Sequence, residues 1–187
     1  MEAHRTSGRW TYAEFARLPS EGGVRNEILA GELFVTPAPA LRHQRVVTKL
    51  ATLLAQFVHD HTSGEVFVGP VDVLFGEGDY VEPDLVFVAR GREALLTDRG
   101  IEGPPDLVVE VLSPATEARD RGTKLRRYRH FGVGEYWIVD PDARTVEIWK
   151  LAAGAEEPLV VGGEDHIRWT PLAGGDTLEA PIERVFA

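Results

Sequence analysis

No cysteine occurs among the 187 residues, which excludes disulfides, thiolate metal sites and any cysteine nucleophile. A metal bound by this chain must therefore be held by oxygen or imidazole. Long apolar runs are missing too: no stretch approaches the roughly 18 apolar residues of a membrane span. Met1–Trp10 lacks the apolar core of a signal peptide, so a cytoplasmic location is expected. Positive charge is also short, with 20 Lys and Arg against 30 Asp and Glu, a formal net charge of −10. Neutralisation of phosphates by Lys and Arg supplies most non-specific affinity for nucleic acid, so this total disfavours a simple electrostatic coat on DNA. It does not exclude a metal-dependent site, which brings its own positive charge.

The apolar fraction of 43% and charged fraction of 27% are those of a globular chain, and Pro and Gly are spread along it, which argues against extensive disorder. The length suits one domain over residues 1–187. Thr11 to Leu18 reads as a short helix and Pro19 to Gly23 as a turn cluster. Arg25 to Thr36 alternates loosely around Gly31, the pattern of a hairpin. From His43 to His61 the apolar positions Val46, Val47, Leu50, Leu53, Leu54, Phe57 and Val58 follow helical spacing, giving the clearest amphipathic helix.

Extended runs follow at Glu65 to Phe75, at Asp84 to Ala89 after the loop Gly76–Asp79, and at Asp106 to Leu112. Leu85–Val88 and Leu107–Val109 are unbroken apolar runs, as in strands covered on both faces. Helical character returns from Thr116 to Phe131, with Gly132 as the stop. Glu135 to Val139 and Arg144 to Leu151 then form a strand pair across Asp140-Pro-Asp142. Strand-like pieces at Leu159–Val161 and Ile167–Trp169 are placed at the sheet edge, in a C-terminal extension over residues 152–187. The pattern implies an α/β (α+β) fold.

Alternation along Asp106 to Leu112 puts Asp106, Val108, Glu110 and Leu112 on one face, so Glu110 lies inside a buried run. A buried carboxylate is costly unless a cation or a metal accompanies it. Its plain structural reading is an ion pair with an arginine. Asp84 poses the same question, its plain reading being a turn residue after Pro83. On neighbouring strands the two acids could hold one hard cation, such as magnesium, which prefers oxygen ligands. Lys124, Tyr128 and Phe131 are spaced i, i+4, i+7, so a lysine joins the apolar stripe of its helix, and the strand carboxylates are natural partners for it. The bland alternative is a surface pair of Lys124 with Asp120. Arg119, Arg121, Arg126, Arg127, Arg129 and His130 make the same segment the most basic of the chain. It reads either as a face for phosphates or as a solvated face balanced by acids elsewhere.

The run Asn26-Glu-Ile-Leu-Ala-Gly-Glu32, His43-Gln-Arg45, Glu82-Pro-Asp-Leu-Val-Phe-Val88, Pro105-Asp-Leu-Val-Val-Glu-Val-Leu-Ser-Pro114, Asp120 with Lys124, and Gly134-Glu-Tyr-Trp-Ile-Val-Asp140 resembles the Uma-type restriction-endonuclease-like family. The resemblance covers about Trp10 to Leu151. That family resembles a branch of the PD-(D/E)XK nuclease superfamily, and the likeness implies its core: a helix, three mostly antiparallel strands, a second helix and a further strand. The expected architecture is thus a restriction-endonuclease-like mixed, largely antiparallel sheet flanked by helices, with an N-terminal hairpin and C-terminal edge strands.

By that resemblance Asp84 is the acid of the PD motif and Glu110 the acid of the second motif. The lysine expected two places later is Leu112, and Lys124 matches a position on the following helix that takes over its role. Glu27 matches an acidic position that serves either as a further metal ligand or as a partner of Lys124. His43 also matches the pattern, although a histidine at a helix start is often a capping or packing residue. The implied activity is that of a Mg²⁺- or Mn²⁺-dependent endodeoxyribonuclease, with Asp84, Glu110 and the Val111 backbone carbonyl as metal ligands and Lys124 at the nucleophile. His43, Arg121 and Arg127 are the candidate nucleic-acid contacts, and a homodimer is expected from the superfamily's habit of pairing. Two rivals stand beside this reading: a module that keeps the fold but no longer cuts, and a purely structural ion network.

Overall fold

The computed structural model describes residues 9–15, 17, 24–76 and 78–186; the turn cluster expected at Pro19 to Gly23 lies outside them. A short helix α1 (Tyr12–Phe15) opens the described chain. Strands β1 (Val24–Leu29) and β2 (Glu32–Pro37) pair antiparallel around Ala30 and Gly31, both at positive φ, as a two-residue hairpin turn requires. Helix α2 (Leu41–His61) buries the apolar stripe read from the sequence, together with His43. The expected strand from Glu65 to Phe75 proves to be two. Strand β3 (Gly64–Val68) joins one sheet and β4 (Val73–Gly76) another, because Pro70 lacks the N–H that a continuous ladder would need.

Strands β5 (Asp79–Val81), β6 (Leu85–Ala89), β7 (Leu96–Thr97), β8 (Gly100–Glu102) and β9 (Leu107–Val111) follow. The next helical segment has three parts: α3 (Glu117–Arg119), a π turn (Asp120–Lys124) and α4 (Leu125–Phe131). Strands β10 (Glu135–Asp140), β11 (Thr145–Trp149), β12 (Leu159–Gly162), β13 (His166–Trp169) and β14 (Leu178–Pro181) lead to α5 (Glu183–Phe186). The main sheet runs β12-β11-β10-β9-β6-β3 and a second runs β2-β1-β5-β4-β8-β7. Most pairings are antiparallel, while β9 with β10 and β4 with β8 run parallel. Of the C-terminal pieces, β12 does extend the sheet edge. Strands β13 and β14 instead make a sheet of their own, and their apolar residues cover the α2 side of the core.

The apolar runs of β6 and β9 are explained by what lies on each face. Leu85, Phe87, Leu107, Val109 and Val111 pack with α2 and the β13–β14 hairpin. Val86, Val88, Val108 and Leu112 pack with Leu29, Val73, Val81 and Tyr128 from the second sheet and α4. By alternation, Asp84 and Glu110 point to this second side.

The start of β10 is held close to the strand that carries Glu110. A Cβ on Gly134 would lie 2.5 Å from the backbone oxygen of Asp106, where no side chain can swing away. Gly134→Ala is expected to cost about 1–3 kcal/mol, read as a lower thermal midpoint; an unchanged midpoint would contradict this packing.

Candidate active site

Register brings the two strand acids together. Leu85 pairs with Val109 and Val86 with Val108 across the antiparallel β6–β9 ladder, so one further step sets Asp84 beside Glu110. Both line a pocket of about 250 Å³, walled by residues 36–40 on one side and 113–116 on the other. Strand β1 covers them from the second sheet, and its alternation turns Arg25, Glu27 and Leu29 inward.

Asp84 is 3% exposed. Arg25 donates to its Oδ1 at 2.9 Å, the Val111 N–H donates to Oδ2 at 2.8 Å, and His43 Nε2 lies 3.1 Å from Oδ2. Burial pushes this carboxyl up, but the His43 hydrogen bond, the Arg25 charge and the Val111 N–H outweigh it and hold it below the usual range. Asp84 is thus ionised at neutral pH.

Glu110, 2% exposed, sits in a different balance. Its Oε1 accepts from Lys124 at 2.7 Å and from the Tyr128 hydroxyl at 3.0 Å. Burial nevertheless dominates, and against the Lys124 charge it is helped by Asp120, Asp84 and Glu27, so the carboxyl is pushed up to about 8. Lys124, 1% exposed, is 2.7 Å from Glu27, 2.7 Å from Glu110 and 3.6 Å from Asp120. Burial alone would favour its neutral form, yet the three carboxylates prevail and raise it. The ammonium is fully charged; it donates to Glu110, while Glu27 and Asp120 complete the ion cluster around it.

The π turn shapes this part of the site. Asp120 and Lys124, its first and last residues, are both buried, and the Tyr136 hydroxyl donates to the Asp120 carbonyl oxygen at 3.2 Å. π turns of this kind recur at functional sites. Glu27 holds the Glu82 N–H at 3.2 Å, and Arg119 stands 3.2 Å from its Oε2.

Glu27, Asp84, Glu110, Lys124, His43 and Val111 therefore converge. Arg121 and Arg127 do not line the pocket. Arg121 is bound to Glu117, Asp140 and Glu147, and Arg127 to Asp79 at 2.8 and 2.5 Å. Arg25 joins the cluster without a part in the sequence reading, as do Arg119, read there only as part of the basic segment, and the Tyr128 hydroxyl, read there only as part of the helix stripe. Arg25 had a usable signal, since it stands two residues before Glu27 in an alternating strand. The surface pair considered for Asp120 and Lys124 is instead a buried one.

Around the pocket, four carboxylates (Glu27, Asp84, Glu110, Asp120) meet three fixed cations (Arg25, Arg119, Lys124). The surplus acid is what burial penalises at Glu110, and a divalent cation would relieve it. The donors are hard oxygens on two carboxylates at one pocket, the chemistry magnesium and manganese accept while keeping water ligands. Among the described residues no group of three or more His, Asp or Glu side chains is arranged to hold a metal.

A family model described as "Uma2: Putative restriction endonuclease" matches residues 12–180. An uncharacterized protein of Synechocystis sp. is 31% identical over 109 residues, 57% of this chain. The chain spans about half the length of that relative, 55%. The crystal structure of a "putative nuclease belonging to DUF820" from Anabaena variabilis superposes with a TM-score of 0.77 at 20% identity, covering 94% of this chain and 97% of the other. That likeness shows a shared fold.

Proposed function

The chain belongs to the Uma2 family of restriction-endonuclease-like proteins, and from that premise we propose that it is a metal-dependent endonuclease hydrolysing phosphodiester bonds of DNA. The observation that carries the reading is the pairing of Asp84 and Glu110 at one pocket with a buried, charged lysine 2.7 Å from Glu110. Asp84, Glu110 and the Val111 carbonyl would hold magnesium or manganese. When bound, such an ion stabilises charge building on the phosphate and lowers the pKa of water.

The chain's own groups divide the remaining work. Arg25, against Asp84, fixes the carboxylate and faces the pocket as a donor for a phosphate oxygen. Lys124 is held charged by its three carboxylates, so it orients the attacking water as a hydrogen-bond donor and does not take its proton. Glu27 and Asp120 keep that ammonium in place, which makes them positioning residues. The experiment is isothermal titration of magnesium and manganese into the protein, with a nuclease assay on the same sample.

A second reading has one observation in its favour. Both Asp84 oxygens already accept hydrogen bonds, so the site is also suited to a fold-retaining module that binds without cutting. A folded protein that ignores both metals would select it.

Metal affinity should depend on pH through Glu110. Its carboxyl, pushed up by burial to about 8, must lose a proton before it can ligate. Affinity is expected to rise from about pH 6 to about pH 8, by up to roughly tenfold per unit. Calorimetry near pH 7 in two buffers of different ionisation enthalpy should register about one proton released per metal. In the metal-free protein the same shift acts against folding, removing stability as pH climbs from the ordinary carboxylate range towards 8. A pH-independent affinity would contradict the assignment of Glu110.

A further inference from the structure

The arginines nearest the pocket on α3, the π turn and α4 already have acidic partners: Glu27 for Arg119, Glu117, Asp140 and Glu147 for Arg121, and Asp79 for Arg127. A phosphate chain leaving the pocket meets other cations at the start of α2. That helix begins directly after the 36–40 wall and carries a single acid in 21 residues, Asp60, near its far end. Arg42, Arg45 and Lys49 are spaced i, i+3, i+7 and share a face beside the buried stripe of Val46 and Leu50. Arg42 is tied to Asp142 and the Pro141 carbonyl. Among the described residues, Arg45 and Lys49 have no carboxylate within ion-pair distance.

Two observations at the same end point to a ligand, and the first of them favours an anion. The first turn of α2 has no side-chain cap, because Ala40 occupies the N-cap position, and it contains no acid. Its leading N–H groups, at the positive end of a long helix, are left for a ligand. His43 is 7% exposed, lines the pocket and has an Nδ1 without a hydrogen-bond partner.

We propose that the nucleic-acid backbone flanking the scissile phosphate runs along the first turns of α2, contacted by Arg45, Lys49 and the free N–H groups of the helix start. The proposal rests on the nuclease reading. From Leu41 to Lys49 the helix advances about 12 Å, the axial run of three to four phosphates at roughly 3.4 Å each. A contact confined to this track is compatible with the net charge of −10, since a local basic face can hold a polyanion on an acidic chain.

The test is fluorescence anisotropy of a labelled 20-nucleotide single strand and its duplex, in EDTA to prevent cleavage, over a salt series. Wild type is compared with Arg45→Glu/Lys49→Glu and with Arg168→Glu/Arg184→Glu, an equal charge change on β13 and α5. The α2 variant is expected to bind roughly tenfold or more weakly, and its slope of log affinity against log salt to shrink by about 1.5 to 2. The β13–α5 variant should stay near wild type. If the two variants behave alike, or the α2 variant keeps the wild-type affinity and slope, the proposed track is overturned while the nuclease reading stands. If the wild type binds neither oligonucleotide, the proposed track falls, while the nuclease reading stands or falls on the metal titration and cleavage assay.

Discussion

Asp84→Ala is expected to leave the protein folded, abolish magnesium and manganese binding, and slow DNA cleavage by roughly a thousandfold or more, equivalent to about 4 kcal/mol of transition-state stabilisation. The size follows from the position of this acid: it is held ionised by Arg25, His43 and the Val111 N–H and stands beside Glu110 at the pocket. Ala removes the proposed ligand and leaves Arg25 without its partner, so Asp84→Asn is the gentler companion, keeping an acceptor for Arg25 while losing the charge. Parallel loss of binding and cleavage in both variants locates the metal at this carboxylate. Cleavage at the wild-type rate in either would sink the assignment, and Glu110→Gln should repeat the pattern from the neighbouring strand.

Lys124→Met should destabilise the protein by about 3–5 kcal/mol, because removing one partner from a buried charge cluster leaves the others uncompensated. For a chain of this size that is a fall of roughly 6 to 20 °C in thermal midpoint. Glu27, Glu110 and Asp120 all lie within 4 Å of the ammonium, so three acids lose a counter-charge together. A double variant, Lys124→Met with Glu27→Gln, is expected to recover part of the loss, since the two positions share one interaction. Full additivity would show that the Glu27 contact contributes nothing. A midpoint unchanged in Lys124→Met would overturn the account of the cluster, whereas lost cleavage in the stabilised double variant would separate the lysine's chemical role from its structural one.

Much of this arrangement was legible before any coordinates, for reasons that differ by residue. Glu110 was visible because a charge interrupts an otherwise apolar run, and alternation alone fixed its face. Lys124 was visible because helical spacing put it in line with Tyr128. Beyond the β1–β2 hairpin the second sheet was not legible: β5, β7 and β8 have three residues or fewer, too few to show a period. The run from Glu65 to Phe75 hid a change of sheet at residues 69–72, where both pieces remain strand-like. The π turn also left no mark, since Asp120 and Lys124 fit ordinary i, i+4 spacing equally well. The basic segment misleads most readily, because its neutralising acids, Glu27, Asp79 and Asp140, come from β1, β5 and β10. Only tertiary structure decides whether such a segment is free.

Strand β9 has one further consequence. It is bonded antiparallel to β6 on one side and parallel to β10 on the other, and both of its faces are covered. Backbone amides in such a strand are released to solvent only in openings that approach global unfolding, whereas fraying termini and loops open at little cost. Glu110 and Val111 therefore belong to the last unit of the molecule to come apart. The wall segments at residues 38–40 and 113–116 lie outside regular strands and can breathe around them. On the proposed reading, such a site would separate a rigid chemical floor from a compliant rim, so that local fluctuations admit a polymer without disturbing the two carboxylates.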